Sequence, residues 1–144
     1  MSSDRRTSTG EPTGDLPAPE PYPNSEDRPF WDATKQDKLV LPKCTACGTV
    51  IWYPRAFCSE CSGRDVEWFE ATGRGTVYAV TAVHRAVGPW RGGAPYALAY
   101  VELEEGPRIL TNVIGIDADH VQVGQAVHAV FVPAGDQKIV RFTP

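Results

Sequence analysis

Cys44-Thr45-Ala46-Cys47 and Cys58-Ser59-Glu60-Cys61 are two C-x2-C pairs, and they hold all four cysteines of this 144-residue chain. A two-residue spacer lets one tight turn bring both sulfurs to the same side, so two such turns supply the four thiolates of a tetrahedral site. Gly48, directly after the first pair, gives that turn the backbone freedom it needs. The spacing predicts a zinc ribbon over residues 41–67, with one zinc ion held by Cys44, Cys47, Cys58 and Cys61. Thr49 to Arg55, between the pairs, reads as a strand. Iron fits the same four sulfurs, but zinc suits a structural role better. A redox disulfide calls for a single C-x-x-C beside a βαβ pattern, and the surroundings here are rich in strand signals. Four thiolates fill a tetrahedron, so the metal stabilises the fold and leaves no open position for catalysis.

The N-terminus lacks the apolar core of a secretory signal, which places the chain in the cytoplasm, where thiols stay reduced. No apolar run is long enough to span a bilayer. Of the net charge of −4, −3 falls within residues 1–26 and −1 within the rest. The body is therefore close to neutral and carries no broad basic footprint for a nucleic-acid backbone. Residues 1–26 are rich in Ser, Thr, Pro, Gly and acid, and read as a disordered tail. Residues 27–40 tolerate helix, with Pro29 in its first turn. Phe30 and Trp31 start that helix, and either pack on the chain's own core or anchor a partner subunit.

Beyond residue 67 short apolar runs alternate with turn signals. Strands are expected at residues 75–84, 96–103, 108–114, 126–132 and 138–142. Glu104 to Pro107 is a turn that pairs the second strand with the third, and one helical turn is expected near Asp117. The expected class is mainly β: an N-terminal helix, a zinc ribbon, then a five-stranded OB-fold barrel over residues 68–144. The pattern alone leaves an SH3-like barrel or a small sandwich open.

The three histidines are His84, His120 and His128. The last two read as surface or satisfied core residues. His84 ends the first barrel strand, where a loop begins that holds Arg85, Trp90 and Arg91 and runs to Tyr96. Arginines suit phosphates, and Trp90 suits an apolar ligand or a partner; a solvated surface loop is the plain alternative. No serine elbow, phosphate loop or dinucleotide fingerprint occurs, and no thiol is left over as a nucleophile. Catalysis by the isolated chain is not expected.

Several segments together carry a resemblance. They are the aromatic helix, the cysteine ribbon with Tyr53-Pro54-Arg55 before its second pair, Gly73 to Tyr78, Val83-His84-Arg85, Glu105 to Asn112, and Val123 to Val127. The chain resembles, over roughly residues 28–144, the acyl-CoA-associated OB-fold family with an N-terminal rubredoxin-like zinc ribbon, known as domain of unknown function thirty-five. The resemblance implies a non-catalytic accessory subunit of a thiolase-like or lipid-transfer-protein-type enzyme, in a hetero-oligomer that acts on acyl-CoA thioesters. The partner would supply the catalytic groups, as in thiolysis or retro-aldol cleavage during breakdown of steroid side chains or of fatty or aromatic acids. On that view Phe30 and Trp31 bind the partner, while His84, Arg85, Trp90, Arg91 and Tyr96 lie near the CoA thioester or the partner. Two other readings stay open: a single-stranded nucleic-acid binder with Tyr78, Tyr100 and Trp90 as stacking platforms, and an independent acyl-CoA hydrolase or hydratase with His84 as base.

Overall fold

The structure, a computed structural model, describes residues 16–144. The first regular element is the short helix α1 (Arg28–Thr34). Pro29 sits in its first turn, where a missing N–H breaks no helical hydrogen bond. Asp37 then takes a φ of 60°, and the Lys38 N–H closes the turn on the Ala33 carbonyl at 3.0 Å. Strands β1 (Val40–Cys44) and β2 (Val66–Glu70) pair antiparallel, Val40 opposite Glu70 and Cys44 opposite Val66, and frame the cysteine segment.

Five strands follow: β3 (Arg74–Val83), β4 (Tyr96–Leu103), β5 (Arg108–Val113), β6 (Ala126–Ala134) and β7 (Gln137–Thr143). They close into a barrel of order β3-β4-β5-β7-β6, β6 returning to β3 through the Arg74–His128, Gly75–Val127 and Thr76–Ala126 pairs. β5 meets β7 in parallel at Val113 and Phe142, and the other pairs are antiparallel. This is the mainly β class expected from the sequence, a helix and ribbon ahead of a five-stranded barrel of OB type. Gly75 allows β3 to press on β4. A Cβ there would lie 2.6 Å from Val101 Cγ1 and 2.8 Å from the Glu102 carbonyl.

Alternation along the strands fills the barrel. Val77, Ala97, Ala99, Val101, Leu103, Val113, Val127 and Phe142 point inward and are buried. The same cluster takes in Phe30 from α1 and Leu39 and Leu41 from the ribbon side, so helix, ribbon and barrel share one core. Cys44, Ile51 and Cys58, with Val66 against them, form a second, smaller one at the cysteine turns.

Two sequence expectations meet a different arrangement. The strand expected over residues 49–55 is reduced to one bridge, Val50 to Lys43. Ile51 N–H reaches the Pro42 carbonyl at 2.8 Å, but Pro42 has no N–H to donate back, so the ladder stops. β2 takes its place as partner of β1. The expected disordered tail over residues 1–26 divides at residue 16. Residues 1–15 lie outside the described residues. Residues 16–26 are laid along the barrel and ribbon: Arg141 donates to the Leu16 and Pro17 carbonyls, Asp136 N–H to Glu20, and Ala56 N–H to Glu26. Among the described residues no helix is long and apolar enough to cross a membrane.

Candidate functional site

The two cysteine turns have the same construction. Cys44 N–H donates to the Thr49 carbonyl at 2.8 Å, and Gly48 N–H donates to the Cys44 carbonyl at 2.8 Å. Fourteen residues on, Cys58 N–H donates to the Gly63 carbonyl at 2.8 Å and Ser62 N–H to the Cys58 carbonyl at 3.0 Å. In each turn the residue four after the first cysteine takes a left-handed φ, 81° at Gly48 and 64° at Ser62. Sequence reading found the glycine and missed the serine, which carries no local signal for that conformation.

These turns bring all four Sγ atoms within 4.8 Å of one another, with Cys44–Cys61 and Cys47–Cys58 each at 3.6 Å. A tetrahedral ion with metal–sulfur bonds of ~2.3 Å sets sulfur–sulfur edges of ~3.8 Å, so the donor set fits a four-thiolate metal site. Cys44 and Cys58 are buried, while Cys47 and Cys61 face outward. The two outward-facing thiols are pulled in opposite directions. The Thr49 hydroxyl, 3.1 Å from Cys47 Sγ, and then the Thr49 backbone draw the Cys47 thiol down to about 6. A hydrogen bond from the Gly63 backbone favours the Cys61 thiolate, but the Cys44 and Cys47 sulfurs and burial outweigh it and push that thiol up to about 12. Neighbouring sulfurs cannot all ionise unaided, and a bound cation relieves that conflict.

The two aromatics that start α1 behave differently. Phe30 is 4% exposed, and its ring meets Trp31 and Trp52 edge-on at 4.8 and 5.4 Å. Of the two roles the sequence offered it, Phe30 takes packing within the chain's own core, and its ring has little surface to offer a partner. The reason is the shared core of helix, ribbon and barrel, which sequence reading cannot assemble. Trp31 is half-buried and donates through Nε1 to the Tyr53 hydroxyl at 3.2 Å, and Tyr53 donates to Asp27 Oδ2 at 2.6 Å. Tyr53 and Phe57 are exposed.

The loop after β3 gathers most of its expected residues without joining them in one cluster. Trp90, in a 3-10 turn (Gly88–Trp90), stacks on Tyr96 at 5.4 Å with the rings 25° apart. Arg85 and Arg91 are exposed. His84 Nε2 lies 3.2 Å from Asp119 Oδ1, both largely exposed. Asp119 is a partner the sequence could not point to, because it lies 35 residues away in a second 3-10 turn (Ala118–His120). His120 lies 3.7 Å from Asp117 Oδ2, and His128 is exposed on β6.

A further surface stands on the outer face of β3–β4–β5. Tyr78, Tyr100 and Leu110 are 48%, 45% and 55% exposed, and Tyr100 sits directly opposite Leu110. A bulge between Val77 and Ala79 turns Tyr78 outward, and the Arg108 guanidinium covers one face of its ring at 3.8 Å. That ring face is therefore not free for a nucleic-acid base.

Known proteins share this architecture. Residues 31–67 match the family model described as the ChsH2 rubredoxin-like zinc ribbon domain, and residues 68–132 match that of the ChsH2 C-terminal OB-fold domain. A protein of Thermomonospora curvata named "Probable enoyl-CoA hydratase alpha subunit" is 38% identical over 104 residues, covering 72% of this chain but 32% of its own length. The chain thus spans about a third of that relative. A "DUF35 domain-containing scaffold protein" of Methanocaldococcus jannaschii is 36% identical over 94 residues, which are 65% of this chain and 67% of the scaffold protein. Among solved structures, a chain of an "Ltp2-ChsH2(DUF35) aldolase" superposes with a TM-score of 0.78 at 33% identity, covering 87% of this chain and 98% of that one. The zinc ribbon and the OB-fold barrel thus both match known domains in the same order, and the chain belongs to the ChsH2-type DUF35 family of rubredoxin-like zinc ribbon and OB-fold proteins.

Proposed function

We propose that this chain is an accessory subunit that docks on a thiolase-like acyl-CoA enzyme and helps to form the passage for its CoA thioester. The observation that carries this reading is the likeness, over 98% of its length, to a chain of an Ltp2–ChsH2(DUF35) aldolase. The chain's own chemistry agrees with it. All four thiols are gathered in the metal cluster, so a nucleophilic cysteine has to come from a partner. The ion is read as Zn2+, held by Cys44, Cys47, Cys58 and Cys61. Bound by four thiolates it fixes the ribbon and has no position left for water or substrate.

Docking is assigned to Trp31 with its hydrogen-bond partner Tyr53, to the exposed Phe57, and to the outer barrel face of Tyr78, Tyr100 and Leu110. The loop of His84, Arg85, Trp90, Arg91 and Tyr96 is assigned to the approach of the CoA thioester. Aromatic side chains bury large area at little cost in side-chain freedom, which suits them to interface centres. The test is co-expression with the thiolase-like protein encoded nearest to this chain, purification on a tag placed on this chain, and an acyl-CoA turnover assay with and without it. A stable complex whose turnover depends on this chain is the expected result. Absence of a complex, with turnover by this chain alone, overturns the accessory role. Within the complex, Trp31→Ala and Tyr100→Ala are the informative variants, because both side chains reach the surface.

A further inference from the structure

Residues 16–23 read Leu-Pro-Ala-Pro-Glu-Pro-Tyr-Pro, with proline at every second position. Each proline has its φ fixed near about −65°. Each residue between them precedes a proline and is barred from the helical region. The segment is thus held in extended, polyproline-like backbone with no hydrogen bond needed to keep it there. Docking such a segment costs little conformational entropy, because most of it is already lost in the free chain.

The body of the protein offers this segment a shaped seat. Arg141, on β7, is 1% exposed, although its neighbour Phe142 points into the barrel. Consecutive strand residues face opposite ways, so something covers the outer face at Arg141. The cover is the proline segment. Arg141 Nη1 donates to the Leu16 carbonyl at 3.1 Å and Nη2 donates to the Pro17 carbonyl. Among the described residues no carboxylate meets the guanidinium, its Nε is buried without a partner, and burial draws its pKa down to about 10. The Trp90 ring stands 5.9 Å away as a second wall. Gly93 leaves the room for the segment: a Cβ there would lie 2.7 Å from Pro17 Cδ and 2.9 Å from Leu16 Cδ1. At the far end Glu20 accepts from the Asp136 N–H at 3.2 Å and lies where a side chain on Gly135 would be.

We infer that Trp90, Gly93, Gly135, Asp136 and Arg141 form a recognition site for a proline-alternating segment that ends in an acid, that residues 16–20 of this chain occupy it, and that their occupancy holds the loop after β3 in place. A forked donor for two backbone carbonyls, an aromatic wall and glycines where the segment presses closest are what a polyproline ligand requires, since such a ligand presents carbonyls and few N–H groups. The site does not depend on which enzyme the chain partners.

Two full-length variants test it by amide hydrogen exchange. Gly93→Leu puts a side chain where the segment lies; Gly93 does not adopt a left-handed φ, so the backbone itself admits one. The triple variant Pro17→Gly, Pro19→Gly, Pro21→Gly removes the preorganisation and leaves the seat intact. Exchange over residues 86–94 should rise about tenfold or more in both, with the amides of β4 and β5 unchanged. A synthetic peptide of residues 16–22 should then restore protection in the triple variant and not in Gly93→Leu. Loop exchange within about twofold of the parent in the triple variant, or no rescue by the peptide, overturns the inference. The triple variant carries the test alone where Gly93→Leu does not fold.

Discussion

Tyr53 ties the ribbon to the N-terminal segment through single atoms. Its hydroxyl donates to Asp27 Oδ2 at 2.6 Å and accepts from Trp31 Nε1 at 3.2 Å, while Asp27 Oδ1 accepts from the Asn24 N–H at 2.6 Å. Burial, and then the Asp27 carboxylate, push the Tyr53 phenol up to about 12 from an ordinary 10.0. Its folded value lies above its unfolded one, so its protonated form stabilises the fold below pH 10, and that contribution is lost as pH rises through 12. A spectrophotometric titration of tyrosinate should show one late-titrating tyrosine, absent in Tyr53→Phe. The same variant should lose about 1–3 kcal/mol, because it strands a buried carboxylate, and chemical denaturation measures it. Ser62 offers a prediction of opposite sign. An L-residue in the left-handed region costs about 1–2 kcal/mol, and glycine does not bear that cost. Ser62→Gly should therefore raise the denaturation midpoint by up to about 1 kcal/mol in stability, and a lowered midpoint would show that the serine side chain matters there.

At the scale of elements, the cysteine turns have few apolar contacts of their own: Ile51 and Val66 beside the two buried cysteines. So small a core does not offset the ordering entropy of the segment, and metal binding has to supply the rest. Chelation at neutral pH should release one metal ion per chain and raise amide exchange across residues 44–65, while β3 to β7 keep their protection. Metal analysis and exchange mass spectrometry check both halves. Cys44→Ser should lose the metal as well, and retained metal with unchanged stability in that variant would remove the structural role. The barrel, by contrast, is held by its ladders and inward-facing side chains, and its closure needs no ion.

Across the whole molecule, α1 acts as the rivet between ribbon and barrel. Phe30 joins the common core, Thr34 Oγ1 donates to the Lys138 carbonyl at 2.8 Å, and Lys138 Nζ pairs with Asp37 at 2.7 Å. Phe30→Ala should cost about 3–5 kcal/mol by opening a cavity where the parts meet. A domain's whole stability is about 5–15 kcal/mol, so a lost complex in that variant would report folding and not docking. Thermal unfolding of the metal-loaded chain should be one transition, and Phe30→Ala should lower it or split it in two. An unshifted midpoint would mean that ribbon and barrel hold together without the helix.

The gathering of the four cysteines, the five barrel strands and the turn between β4 and β5 were legible in the sequence, because each rests on local spacing: two residues between thiols, alternation along a strand, glycine and proline at a turn. The choice between core and surface for Phe30, the meeting of His84 with Asp119, β2 as partner of β1, and the cover over Arg141 were not. Leu16 and Arg141 stand 125 residues apart, and nothing near either one names the other. Local sequence dictates which backbone shapes are affordable, and it made residues 16–23 extended. Only the closed barrel, by carrying β7 and the Trp90 loop to one side, decided where that extended segment would lie.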